Sequence, residues 1–257
     1  MKTMQASVRG PAGLVAMLVV SGLGAAVPAG AVEHGVYMAA DYGNTRFGRT
    51  AASFDTQLEP FLESGFCGDL ACSNAPDAVF DQTTLTRKSH GYDAWVGYQL
   101  SPWFAVEGAY LILGSTRHHF TGTMDEGPVD VDNDGNVDYS GPQPIQGETK
   151  FRTRGPAVAA VGSLALGNYF SVDARAGLFF ADDKLSLGIQ YSPENQPVAN
   201  YSYSESNGKT KLFYGATANF WITPYFGVRA GYTGSSDASF GHSVKYYFAG
   251  FRYSYGY

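Results

Sequence analysis

Residues 91–114 read GYDAWVGYQLSPWFAVEGAYLILG. Tyr92, Ala94, Val96, Tyr98 and Leu100 alternate with Gly91, Asp93, Trp95, Gly97 and Gln99, a period of two that gives an extended strand one apolar and one mixed face. Ser101-Pro102 interrupts the pattern. Beyond it Phe104, Val106, Gly108, Tyr110 and Ile112 alternate with Ala105, Glu107 and Ala109. The stretch predicts two antiparallel strands joined by a tight turn.

The same unit returns over 151–180, turning at Gly167-Asn168, and over 212–232, turning at Thr223-Pro224. Each turn is followed by aromatics: Trp103-Phe104, Tyr169-Phe170 and Tyr225-Phe226. A first strand over about 35–47 and a last over about 243–257 bring the expected number to eight. The long polar connections, at roughly 48–88, 120–147 and 191–208 with a shorter one near 234–242, all fall at the opposite end. Short turns on one rim, long loops on the other and aromatics near the turns form the pattern of an outer-membrane barrel. A secreted sandwich or lipocalin-like barrel would turn a face rich in Lys, Glu and Thr to water. Here the second face is mainly Gly, Ala and Ser with sparse charge. The predicted fold is therefore all-β, a transmembrane antiparallel up-and-down barrel with short periplasmic turns and long extracellular loops.

Composition agrees. Of 257 residues only 16% are charged, 32 are glycine and 15% are aromatic, whereas soluble chains carry about 25% charge and about 7% glycine. A net charge of -6 without any basic run excludes the footprint of a nucleic-acid binder. Lys2 and Arg9 precede the apolar run 14–26 and the small triplet Ala29-Gly30-Ala31, the layout of a secretory leader cleaved after Ala31. The run is too short to cross a bilayer as a helix, which takes about 20 residues. The expected domains are a leader over 1–31 and a barrel over 32–257, the latter with 15 Lys and Arg against 23 Asp and Glu. Cys67 and Cys72, the only two cysteines, lie in a polar stretch of an exported chain and are expected to close a local disulfide.

In the last strand Phe251, Tyr253, Tyr255 and Tyr257 share one face between Gly250, Arg252, Ser254 and Gly256. With these residues, the run Gly97-Tyr98-Gln99-Leu100-Ser101-Pro102-Trp103-Phe104 followed by Glu107-Gly108-Ala109-Tyr110 and Leu113-Gly114 resembles the eight-stranded transmembrane domain of the outer membrane protein A type. The resemblance covers about 33–257. It implies an outer-membrane location and a terminal aromatic that serves as the signal read by the barrel-assembly machinery; the chain departs from the longer family members by ending at the barrel, so no peptidoglycan-binding domain is expected after it.

Eight strands enclose a lumen that side chains fill. Taking the less apolar face as inward places Asp41, Asp93, Glu107 and Asp173 inside as acids and Arg152, Arg154, Arg175, Arg229 and Arg252 as bases. Buried charges must be balanced, because an unpaired one costs several kcal/mol. These nine are expected to form an ionic network that plugs the barrel.

In the second loop Asp130, Asp132, Asp134, Asn136 and Asp138 surround Gly135 in the spacing of a calcium loop, with Asp125 or Glu126 to complete the shell. Position twelve is Gly141 instead of Glu, so the run is equally an acidic solvated loop; no other cofactor is expected. His118-His119 reads as a pair at the loop rim. His242 and Ser243 are neighbours that point to opposite strand faces and cannot act together, and no nucleophile elbow or zinc motif occurs. The expectation is a non-enzymatic Gram-negative surface protein that displays loops to a host or surface ligand and supports envelope integrity. Its partners would be outer-membrane lipids and lipopolysaccharide, without nucleic acid. A narrow channel is the second reading and a lipid A-modifying enzyme the third.

Overall fold

In the computed structural model the described residues are 35–48, 77–125, 141–192, 199–235 and 243–256. The leader, Cys67 and Cys72, the calcium-like run 130–138, His242 and Tyr257 lie outside them. Nine strands follow one another: β1 Gly35–Phe47, β2 Asp77–Thr86, β3 Lys88–Ser101, β4 Phe104–Asp125, β5 Pro142–Ala165, β6 Phe170–Tyr191, β7 Ala199–Trp221, β8 Phe226–Ser235 and β9 Val244–Gly256. All neighbours are antiparallel, and β1 pairs with β9 from Gly35↔Gly256 to Phe47↔Val244, which closes the sheet.

The ring still has eight members. At Arg87 a break separates β3, the second expected strand, from β2, an additional strand inside the expected first loop 48–88. β3 faces the inner half of β4 from Ser101↔Phe104 to Tyr92↔Ile112, and β2 faces its outer half from Thr86↔Arg117 to Asp77↔Asp125. Between the halves β4 bulges at Leu113-Gly114, and Gly114 takes φ 78°, a left-handed conformation that suits glycine. The bulge reverses the facing. Glu107, Leu111 and Leu113 point inward before it, and Thr116, His118 and Phe120 after it.

Period two settles which side chains meet lipid. Val36, Met38 and Tyr42 in β1, Tyr92, Val96 and Tyr98 in β3, and Phe251, Tyr253 and Tyr255 in β9 are all exposed on the outer surface, while the residues between them are buried. Trp103, Tyr169 and Tyr225 stand exposed at the three short turns. Tyr42, Tyr92, Tyr110, Tyr214 and Tyr247 mark the other boundary of this band.

The loops expected from sequence are shorter, because strands fill their flanks: β2 occupies 77–86, β4 runs to Asp125, β5 starts at Pro142 and β7 at Ala199. β4 to β7 have 22, 24, 22 and 23 residues. At about 3.4 Å per residue and a tilt near 40°, 22 residues rise roughly 57 Å, against an apolar band of about 25 Å. One side of the barrel therefore stands well above the membrane. β1, β3, β8 and β9, with 13, 14, 10 and 13 residues, end lower.

Placing Arg at Ala174, which faces outward at mid-band, is expected to destabilise the barrel by about 2–4 kcal/mol. The same change at Ser204, above the band with both faces wet, should stay within about 0.5 kcal/mol. Urea unfolding from lipid vesicles measures both.

Candidate functional site

The lumen is filled in two layers. Towards the outer side, Phe47, Trp95, Leu111, Leu113, Phe151, Phe179, Phe213, Tyr246 and Phe248 form a buried apolar cluster. Rings meet edge-on at Phe47–Phe151 (6.1 Å) and stacked at Tyr246–Phe248 (5.4 Å). A second cluster of Phe120, Met124, Ile145, Leu187, Ile189 and Tyr191, with Phe80 against it, lines the inner side of the wall above the membrane.

Below the aromatic layer lies a charged one. Asp41 accepts two hydrogen bonds from Arg229, from Nε at 2.9 Å and from Nη2 at 2.6 Å, a bidentate geometry with both side chains fully buried. The pair reaches across β9 at Gly250, which is opposite Asp41 on one side and Arg229 on the other. A Cβ at Gly250 would collide with the Asp41 carboxylate and the Ala40 carbonyl, so the close approach depends on glycine.

Arg175 lies 3.6 Å from Glu107, stacks 4.6 Å from the Trp95 ring and donates to Thr217 Oγ1 at 3.1 Å. Tyr37 donates its hydroxyl to Glu107 at 2.8 Å. Arg252 donates to Asp173 at 3.0 Å and to Gln99 Oε1 at 3.4 Å, with its guanidinium 3.8 Å from the centre of the Tyr37 ring. Asn219 adds a second donor to Asp173 at 2.8 Å. Tyr37 thus links the Glu107–Arg175 and Asp173–Arg252 pairs, and with Gln99, Asp173 and Arg252 it lines a cavity of about 60 Å³ at the periplasmic mouth. That is room for a few waters.

Seven of the nine residues assigned to the lumen are thus inside it: Asp41, Asp93, Glu107, Asp173, Arg175, Arg229 and Arg252. Arg152 and Arg154 are not. They share the outward face of β5 with Lys150, while Phe151 and Thr153 point in, and Arg154 pairs with Asp182 at 3.5 Å on the surface. The reason is height: this part of β5 stands above the apolar band, so its outward face is free of hydrocarbon and can carry charge, while its inward face packs Phe151 into the aromatic layer. His118 and His119 are strand residues instead of a loop-rim pair: His118 is buried inside and His119 points outward, 3.6 Å from Glu148.

Sequence reasoning missed a fourth interior pair, Lys211 to Asp183 at 2.6 Å, at the outer end of the aromatic layer. It also missed Tyr37, Gln99, Thr217 and Asn219. Their signal was available, because Thr217 and Asn219 break the apolar run Ala216, Ala218, Phe220 at period two, in phase with the inward residues.

Among the described residues the interior holds five carboxylates, of Asp41, Asp93, Glu107, Asp173 and Asp183, against four cations, Arg175, Lys211, Arg229 and Arg252. Asp93 is the surplus one. It lies opposite Asp41 in the β1–β3 register, and neither of its oxygens takes a hydrogen bond from the protein. Asp41→Asn leaves Arg229 buried without its charge partner and should cost about 3–5 kcal/mol in vesicle unfolding. Asp93→Asn leaves no buried cation without its partner and should leave stability unchanged or raise it. An equal loss in both variants would contradict this assignment.

The chain matches the family described as outer membrane protein beta-barrel domain over residues 15–257. No curated protein matches it significantly. Among solved structures it is similar to Ail, the attachment invasion locus protein of Yersinia pestis, solved in complex with the heparin analogue sucrose octasulfate (16% identity, 87% of this chain and 99% of that one, TM-score 0.40). It is also similar to the outer membrane protein OprG of Pseudomonas aeruginosa (11%, 88% and 99%, TM-score 0.36) and to the outer membrane protease OmpT of Escherichia coli (11%, 88% and 97%, TM-score 0.35). A ring of eight antiparallel strands, an apolar outer band and a family match over nearly the whole sequence lead to one conclusion: the chain belongs to the outer membrane β-barrel family and is a multi-pass protein of the outer membrane.

Proposed function

We propose that the protein is a non-enzymatic surface-display barrel whose extracellular wall and loops engage a host or surface ligand and contribute to envelope integrity. The observation that carries this reading is the division of labour along the strands. Within the band they hold only lipid-facing apolar residues and a packed lumen. Above it β4 to β7 continue as a sheet, and residues 201–210 of β7 are exposed on both faces. Variety in exposed segments held by a rigid scaffold is what recognition requires.

The packed lumen weighs against the channel reading, since ion pairs and aromatic rings occupy the path a solute would take. Against the enzyme reading, His118 and His119 point to opposite faces of β4 and cannot act together.

Residues Ser186 and Ser204 pair across β6 and β7, so an Asn-Gly turn can join them in register and remove 187–203. This variant should fold, keeping its heat-modifiable mobility in gels, and should lose adhesion of expressing cells to epithelial or matrix surfaces. Adhesion at the wild-type level, both here and after replacing 49–76 and 126–140 with short Gly-Ser linkers, would overturn the reading. In planar bilayers the wild-type protein should give no stable ohmic steps.

A further inference from the structure

Each interior cation is committed to one acid: Arg175 to Glu107, Lys211 to Asp183, Arg229 to Asp41 and Arg252 to Asp173. Asp93 has no cation of its own among the described residues. It lies directly opposite Asp41 across the β1–β3 pair, and both side chains are buried. The next inward row towards the outer side is Gly43 opposite Gly91, and the next towards the periplasm is Ala39 opposite Trp95. On β4 the residue facing Asp93 is Leu111, and on β9 the residue facing Asp41 is Gly250. Tyr246 of β9 stands near both acids, with its hydroxyl donating to the Gly91 carbonyl at 3.4 Å. Glu107 and Arg175 lie on the far side of Trp95, paired with each other.

One guanidinium, that of Arg229, therefore serves two carboxyl groups, and both of its hydrogen bonds go to Asp41. Neither Asp93 oxygen has a partner, and neither does the indole Nε1 of Trp95, the next inward residue of β3. A carboxylate removed from water without a partner takes up a proton in preference to staying charged. Two carboxyl groups in one dry site share a single proton for the same reason. The proton makes one Asp93 oxygen a donor to the Asp41 carboxylate, while the other remains an acceptor beside the Trp95 indole. It also brings Asp41, Asp93 and Arg229 together to zero charge.

We propose that the lumen holds one bound proton, as a hydrogen bond from the Asp93 carboxyl to the Asp41 carboxylate, and that closing the barrel takes this proton up. The site is assembled from three strands. Asp93 comes from β3, Asp41 from β1 and Arg229 from β8, which reaches Asp41 across Gly250 of β9. It exists only when β1 is paired on both sides, so proton uptake and closure of the seam are one event. In the unfolded chain both residues are ordinary aspartates, ionised above about pH 5. The folded protein then carries one proton more than the unfolded chain, so stability falls as pH rises above that value, until the folded pair itself loses the proton. The inference is independent of the display reading, because it concerns only the interior of the barrel.

Infrared spectra of the refolded protein in ether-lipid bilayers, which carry no ester carbonyl, read the proton directly. At neutral pH the wild type should show the carbonyl stretch of an un-ionised carboxylic acid. The band should shift with isotope-labelled aspartate and be absent from Asp93→Asn. Urea unfolding from the same bilayers reads the linkage. The unfolding equilibrium of the wild type, divided by that of Asp93→Asn, should rise about 100-fold between about pH 5 and pH 7, tenfold per unit for one proton. Divided by that of Glu205→Gln, which alters an exposed acid of β7, it should stay level. No such band in the wild type, a band that survives in Asp93→Asn, or a wild-type to Asp93→Asn ratio that ignores pH would overturn the proposal. So would stabilisation of the wild type alone by millimolar sodium or calcium, which would place a metal ion between the two acids. The wild-type spectrum decides the matter even if Asp93→Asn fails to fold.

Discussion

Every amide that crosses hydrocarbon must be hydrogen-bonded inside the protein, and this requirement governs the molecule. A sheet meets it only by closing, and here the closure is the β1–β9 seam, in register over thirteen residue pairs. Closing eight strands fixes a narrow lumen that side chains fill. A filled lumen out of contact with bulk water then requires its charges to be paired. The bidentate Asp41–Arg229 contact, the Glu107–Arg175 and Asp173–Arg252 pairs and the aromatic layer above them are consequences of that closure. Gly250 shows the dependence most directly, as it sits in the seam and leaves the space through which Asp41 reaches Arg229.

A second consequence is the contrast between the two ends. At the periplasmic rim the turns are short and locally held, as where the Thr223 hydroxyl accepts from the amides of Tyr225 and Phe226. At the outer end the constraint lapses, because water can pair any free amide. There β2 and the outer half of β7 each run with a strand on one side only among the described residues. The break at Arg87 and the bulge at Gly114 both fall near this transition. Together they allow β4 to follow β3 in the membrane and β2 above it, with Thr116 donating to the Thr86 carbonyl at 2.6 Å to hold the join. Anchoring and recognition are thus separated by height along the same strands.

Much of this was legible in the sequence where lipid enforces alternation. The strands, the three short turns and the inward placement of Asp41, Asp93, Glu107, Asp173, Arg175, Arg229 and Arg252 follow from period two. Arg152 and Arg154 were misplaced because above the apolar band the outward face is no longer against hydrocarbon, so the more polar face of β5 is there the outer one and the aromatic Phe151 points in. Trp95, Phe151 and Phe213 were not singled out as lumen filling because an aromatic suits lipid and a packed lumen equally well. The pairing itself was illegible. Strand tilt and stagger bring Asp41 to Arg229, two strands away, instead of to Arg252 on the adjacent β9, and that offset is a property of the closed ring.

Amide hydrogen exchange across the seam, with the protein in lipid bilayers, tests the central claim most directly. If the ring is closed, the amides of 36–42 in β1 and 249–253 in β9 should exchange as slowly as those of 172–178 in β6, deep inside the sheet. Exchange at the rate of an unpaired edge in β1 and β9, with β6 still protected, would mean that the sheet is open in the membrane and would contradict the account.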